Sequence, residues 1–251
     1  MQNSLLFLEI AAASFALPVG IAAATWTIAR PETLGSYSLL IIISFCAFFI
    51  LFGYTSLLYP HMSSVTADIH DPIIRTLART LLINLMGDVF LFLPYFLWVA
   101  TLARCGPREA LYAAIMAAMV FSGLLSFSFY VHGANSGHDW SALFWERSVY
   151  ALLADAGSAA VIGTWTALVI AEGGRRVKRR LAGAFAISVL ADALWGAGID
   201  LGHSGGGFEF SASVLLLVLA SIALNATAIA VGVIALCRAG IRLGRRRHRF
   251  G

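Results

Sequence analysis

The stretch that decides the fold is SASVLLLVLASIALNATAIAVGVIALC, residues 211–237, which contains no charged side chain. A helix needs roughly 20 consecutive apolar residues to cross a hydrocarbon core of about 30 Å. This stretch meets that length, and its apolar residues run on without the alternation that is typical of a membrane β-barrel strand. It therefore predicts a membrane-spanning helix.

The same pattern recurs along nearly the whole chain. The predicted spans lie near residues 4–29, 36–59, 78–103, 109–132, 148–172, 181–202 and 211–237. The connections between them are short, which favours antiparallel neighbours in one bundle. We therefore predict an all-α, polytopic integral membrane protein, in which residues 1–251 form a single transmembrane domain, a seven-transmembrane-helix bundle.

The composition agrees with a lipid bilayer as the main partner. The chain is 60% hydrophobic and only 12% charged, whereas a soluble domain is about 45–50% apolar and about 25% charged. Its three cysteines, Cys46, Cys105 and Cys237, lie within or beside apolar runs. They predict free thiols, because no disulfide framework is visible.

The basic residues predict the orientation. If the N-terminus is outside, all but three of the 17 basic residues fall in the inner connections and the C-terminal tail, the exceptions being Arg75, Arg79 and Arg147. The positive-inside rule then gives an N-out, C-in topology. The basic tail RLGRRRHRF, residues 242–250, fits contact with anionic lipid, so no nucleic acid partner is expected. Short loops and an arginine-biased topology favour a bacterial inner (plasma) membrane.

Four acidic residues lie within the predicted spans: Glu9, Asp88, Asp155 and Asp192. An ionised carboxylate that faces lipid costs roughly 2.5–3.5 kcal/mol on insertion scales. No lysine or arginine lies mid-span to pair with them. We therefore expect these acids to face the bundle interior, where they are protonated, hydrogen-bonded or bound to a cation. They are the candidate proton acceptors of the chain.

In the predicted topology, most of the histidines lie at the outer face of the membrane. The segment VHGANSGHDW, residues 131–140, carries two of them, and Asp200 stands three residues before His203 at the end of the sixth span. Neutral imidazole and carboxylate groups are suitable ligands for copper, zinc, iron or manganese. The predicted ligands of an outward-facing transition-metal ion are His61, His132, His138, Asp200 and His203.

Known catalytic motifs exclude some kinds of metal or cofactor site but do not decide whether the protein is an enzyme. Neither H-E-x-x-H nor E-x-x-H occurs, so a zincin or a ferritin-like di-iron site is not supported. The one lysine, Lys178, lies in an inner connection, which excludes a retinal Schiff base within a span. Whether the protein is an enzyme stays open.

Three functions are therefore compatible with the sequence. The first is metal handling, or metal-dependent chemistry on a lipophilic substrate, at the outer histidine and aspartate site. The second is a proton- or cation-coupled transporter or channel that uses the four intramembrane acids as a relay. The third is a non-catalytic role in a larger complex, with partner membrane subunits that satisfy the polar groups.

Overall fold

The computed structural model is all-helical. It describes residues 2–29, 35–101, 106–136, 144, 149, 151–172, 175–202 and 211–238. Within these ranges the side chains of residues 2–5, 7, 28, 29, 35, 36, 52, 54–63, 133–136 and 175–177 lie outside the description. The helices are α1 (Gln2–Ala29), α2 (Gly35–Val65), α3 (Pro72–Thr101), α4 (Pro107–Ser136), α5 (Leu152–Glu172), α6 (Arg175–Gly202) and α7 (Ala212–Arg238).

Each predicted span coincides with one helix, which confirms the all-α prediction. Within the described residues, six helices are long and apolar enough to cross a membrane: α1 and α3 to α7. The described apolar part of α2 is the shorter stretch Tyr37–Leu51.

The helix ends differ from the predicted ends because caps, rather than the limits of the apolar runs, determine them. Asp71 precedes α3 and accepts hydrogen bonds from the backbone N–H groups of Ile73 (2.8 Å) and Ile74 (3.0 Å). This is the N-cap arrangement, with a proline in the first helical position. As a result α3 begins at Pro72, and Arg79, which the sequence placed in an outer connection, lies within the helix.

The central helices are α3 to α6, and α4 contacts more of the other helices than any of them, because it packs against α1, α2, α3 and α5. α5 packs against α4, α6 and α7, while α3 packs against α2, α4 and α6. α1 packs against α4. The larger apolar core includes the fully buried Phe92, Tyr95 and Trp98 of α3. A second core joins α5, α6 and α7 around Trp165 and Leu168.

Glycines bring α5 close to its neighbours. A Cβ atom at Gly163 would lie 3.0 Å from the Cα atom of Leu111 and 3.0 Å from the Cβ atom of Ala114, both on α4. A Cβ atom at Gly232 on α7 would lie 2.7 Å from the Cγ2 atom of Thr164 on α5. Such contacts between small residues are the usual way in which helices associate in a membrane, where no hydrophobic driving force acts between them.

Candidate functional site

Two of the intramembrane acids meet inside the bundle. Asp88 on α3 is 4% exposed and Asp192 on α6 is 7% exposed. Their carboxyl groups lie within hydrogen-bonding reach of each other. The two acids, which the sequence placed near the middle of their spans, therefore form one site, here called the acid pair.

The oxygens of the acid pair are incompletely satisfied. Ser158 on α5 donates a hydrogen bond of 2.7 Å from its Oγ atom to Oδ2 of Asp192. Oδ2 of Asp88 and Oδ1 of Asp192 are enclosed and have no hydrogen-bond donor among the described residues. Two ionised carboxylates in contact repel each other, whereas one proton shared between them removes the repulsion and supplies a donor. A buried pair of this kind is the arrangement in which two carboxyl groups can share one proton.

A third acid lies beside the pair. Asp155 on α5 is partly buried and stands one turn before Ser158. It interacts electrostatically with both Asp88 and Asp192. Among the described residues, the charged groups that act on Asp88 and Asp192 are therefore other carboxyl groups. The three acids lie on three different helices, α3, α5 and α6.

The acid pair lies at one end of a polar seam between α3 and α6. Oγ1 of Thr80 lies 3.2 Å from the carbonyl oxygen of Ala193, and it also lies 2.9 Å from the carbonyl oxygen of Thr76 on its own helix. Asn84 donates from Nδ2 to the carbonyl oxygen of Asp192 at 3.1 Å. A Cβ atom at Gly196 would lie only 3.2 Å from Nδ2 of Asn84. The side chains of α3 therefore bind the backbone of α6 where a glycine lets the helices come close.

Asn225 on α7 extends the polar interior toward α5. A Cβ atom at Gly157 would lie 3.0 Å from its Nδ2 atom, so this glycine makes room for the amide. The buried Oδ1 atom of Asn225 has no donor among the residues that the structure describes. Its mid-span position suits a role in helix packing.

Glu9, the fourth intramembrane acid, is not part of this site. Its side chain is exposed on α1, a helix that packs against α4 rather than against α3 or α6. Glu9 stands within the first turns of α1, where a carboxylate can reach water at the membrane surface. The expectation that all four acids face the interior therefore holds for Asp88 and Asp192, which are buried, and in part for Asp155.

Of the five predicted metal ligands, the structure describes the side chains of only His132 and Asp200. His132 is exposed in the last turns of α4, and His61 lies in α2 with an undescribed side chain. His138 and His203 fall outside the described residues. Asp200 is engaged by Arg79, whose Nη2 atom lies 2.8 Å from its Oδ2 atom. Across the described ranges no group of three or more histidine, cysteine or acidic side chains could hold a metal ion. The transition-metal site stays a prediction.

Several residues of the site were missed in the sequence. Thr80, Asn84 and Asp88 recur at intervals of four in an otherwise apolar part of α3, and this spacing places them on one helix face. That pattern could have identified the polar seam. No comparable signal indicates Ser158, because serine is common in membrane helices and often bonds to its own backbone.

The chain matches no protein-family model, no curated protein and no solved structure. A helical fold hosts many unrelated activities, so the function has to be argued from the chemistry of the site.

Proposed function

We propose that the protein is a proton-coupled membrane transporter whose proton-binding site is the acid pair Asp88–Asp192. The observation that carries this proposal is the contact between two buried carboxyl groups of different helices. Intramembrane acids commonly mark proton relays in pumps and transporters. Asp155 would act as the third member of the relay.

The contact suits coupling because it joins α3 to α6. With a proton bound, the two carboxyl groups attract each other and hold the helices together. Without the proton, two unit charges 4 Å apart repel by about 4 kcal/mol at an effective dielectric constant near 20. A change in protonation would therefore shift the equilibrium between two helix arrangements, which is the requirement for coupling a proton to movement of a solute.

The proposed membrane frame is the seven-span bundle with the N-terminus outside and the C-terminus inside. α2 would supply the span that is not among the six long apolar helices. In this frame Asp88 lies about 20–24 Å along the helix from either end of α3, at a rise of about 1.5 Å per residue. This depth supports a site that protons reach only through the protein, as expected for a plasma-membrane transporter.

Two measurements test the proposal together. The first is proton entry into liposomes that contain the purified protein, followed with a trapped pH-sensitive dye under an imposed membrane potential. The second is reaction with dicyclohexylcarbodiimide, an apolar reagent that modifies protonated carboxyl groups, with the modified peptide identified by mass spectrometry. We expect proton entry that Asp88→Asn and Asp192→Asn each abolish, and modification of the acid pair in the unaltered protein.

Glu9→Gln is the matched control, because it removes an exposed intramembrane acid from a helix that does not contact the pair. It should retain both proton entry and modification at the acid pair. Proton entry that survives in Asp88→Asn and Asp192→Asn would refute the proposal. So would an acid pair that stays unmodified in a protein without proton entry.

A further inference from the structure

The two directions away from the acid pair along α3 and α6 differ in polarity. Toward the start of α3, the interface contains the seam of Thr80 and Asn84 and ends at the ion pair between Arg79 and Asp200. Toward the end of α3 the next turn presents Phe92, which is fully buried. This asymmetry gives the acid pair one polar side and one side on which, apart from the buried hydroxyl of Ser188 on α6, the described contacts are between aromatic rings.

The apolar side is closed by aromatic rings. Phe92 meets Phe185 of α6 with ring centroids 6.3 Å apart in an edge-to-face arrangement. Trp98, further along α3, is 1% exposed and stacks on Tyr37 of α2 with centroids 5.2 Å apart. Water has no polar partner on these ring faces, so a proton path through this side would require the largest core of the protein to open.

The polar side is closed by much weaker contacts. Arg79 and Asp200 are 37% and 42% exposed, so their ion pair lies at the surface of the bundle rather than in its core. One contact of 2.8 Å joins them, through Nη2 of the guanidinium, while its Nε atom is enclosed without an acceptor in the described part of the chain. Behind it, Asn84 donates a long hydrogen bond of 3.1 Å to α6, and the hydroxyl of Thr80 approaches α6 at 3.2 Å but lies closer, at 2.9 Å, to a carbonyl oxygen of its own helix.

From these contacts, and on the basis of the proton site proposed above, we infer that protons reach the acid pair only from the Arg79–Asp200 end of α3 and α6, and that this ion pair is the gate. In the closed state the ion pair holds α3 against α6. When the ion pair opens, water can solvate Asn84 and Thr80 and connect the acid pair to solvent. The carboxylate of Asp200, no longer paired with Arg79, then attracts protons to the mouth.

Thiol labelling tests the route without depending on transport. Cys46, Cys105 and Cys237 are replaced by alanine, and Asn84→Cys introduces one thiol halfway along the polar seam. A charged, membrane-impermeant methanethiosulfonate is then added to one side of sealed vesicles at a time. The matched control is Ser188→Cys, whose parent side chain is fully buried on the inward side of Asp192.

We expect the thiol at position 84 to react only from the side on which Arg79 lies, and the thiol at position 188 to react from neither side. Arg79→Gln and Asp200→Asn should each raise the rate at position 84 by up to about fivefold, the largest effect expected from an exposed ion pair. Their combination should raise the rate no further, because both changes break the same contact. High salt should accelerate labelling when Arg79 and Asp200 are present and have no effect in their absence.

The outcomes separate the gate from the proposed function. Labelling at position 84 from the opposite side, or rates that neither Arg79→Gln nor Asp200→Asn changes, would overturn the gate, even if proton entry still requires Asp88. Labelling as expected, in a protein that shows neither proton entry into liposomes nor modification of the acid pair by dicyclohexylcarbodiimide, would support the access route and refute the transporter. Exchange of the two charges, Arg79→Asp with Asp200→Arg, should restore the slow labelling rate, which a purely structural defect would not do.

Discussion

Substitution of Gly163 by alanine should loosen the contact between α4 and α5. The added Cβ atom would lie 3.0 Å from the Cα atom of Leu111 and from the Cβ atom of Ala114, whereas carbon atoms attract best at about 3.5–4.0 Å. A backbone atom cannot rotate away, so one helix has to move by about 0.5–1 Å to reach that separation.

The magnitude follows from two opposing effects. Overpacking of a close contact costs about 1–3 kcal/mol, while replacing glycine by alanine within a helix gains about 1 kcal/mol. Gly183→Ala in α6 is the matched control, because its Cβ atom would meet nothing within 4 Å. Gly163→Ala should therefore be less stable than Gly183→Ala by about 1–3 kcal/mol.

The assay is unfolding in mixed micelles at increasing fractions of sodium dodecyl sulfate, followed by tryptophan fluorescence and circular dichroism. A second effect is expected at the site, since α5 also carries Ser158, which bonds to Asp192 at 2.7 Å. Because α5 has to move away from α4, its position relative to α6 should change, and Gly163→Ala should reduce proton entry into liposomes more than Gly183→Ala does. If Gly163→Ala were as stable as Gly183→Ala, the close packing of α4 and α5 would be refuted.

Three further outcomes are expected. Ser158→Ala removes the donor to Asp192 and should lower the free energy of unfolding in micelles by about 0.6–1.7 kcal/mol, from the average to the maximum measured for hydrogen bonds between membrane helices. An unchanged free energy of unfolding would contradict the hydrogen bond between Ser158 and Asp192. Asp71→Ala removes the N-cap of α3 and should lower the free energy of unfolding by about 1 kcal/mol, while Asp71→Asn keeps most of it. Gly232→Ala should destabilise the contact between α5 and α7. Thr164→Ser should restore part of the lost stability, because it deletes the methyl group that the new Cβ atom meets. If a double-mutant cycle showed no coupling between positions 164 and 232, the contact would be refuted.

The helices could be predicted from the sequence because a lipid bilayer permits few backbone conformations. A bilayer forces each spanning segment to satisfy its backbone internally, so long apolar runs predict helices. The rarity of acids in such runs also made Asp88, Asp155 and Asp192 conspicuous. Their isolation from lysine and arginine in the sequence predicted that they would be protonated, hydrogen-bonded or bound to a cation rather than paired with a basic residue in mid-span.

Which faces of the helices meet could not be predicted in the same way. In a soluble protein the polar face of a helix is the face exposed to water. In a membrane bundle the face that contacts lipid and the face that contacts the core are both apolar. Exposed Leu215, Leu216 and Leu219 on α7 are as apolar as the buried Leu168 on α5. The sequence therefore gave no reason to exclude Glu9 from the interior, or to pair Arg79 with Asp200.

The separation of α3 and α6 along the chain has a consequence for biosynthesis. Asn84 and its acceptor on Asp192 are 108 residues apart, and a ribosome adds about 5–20 residues per second. The ribosome therefore adds Asp192, on the partner helix α6, about 5–20 s after it adds Asp88. During this interval an isolated acid-bearing helix has to be held by the insertion machinery or remain near the membrane surface. By contrast, Ser14 of α1 bonds to the carbonyl oxygen of Ile10 in its own helix at 2.7 Å, so this hydroxyl can enter lipid without a later segment.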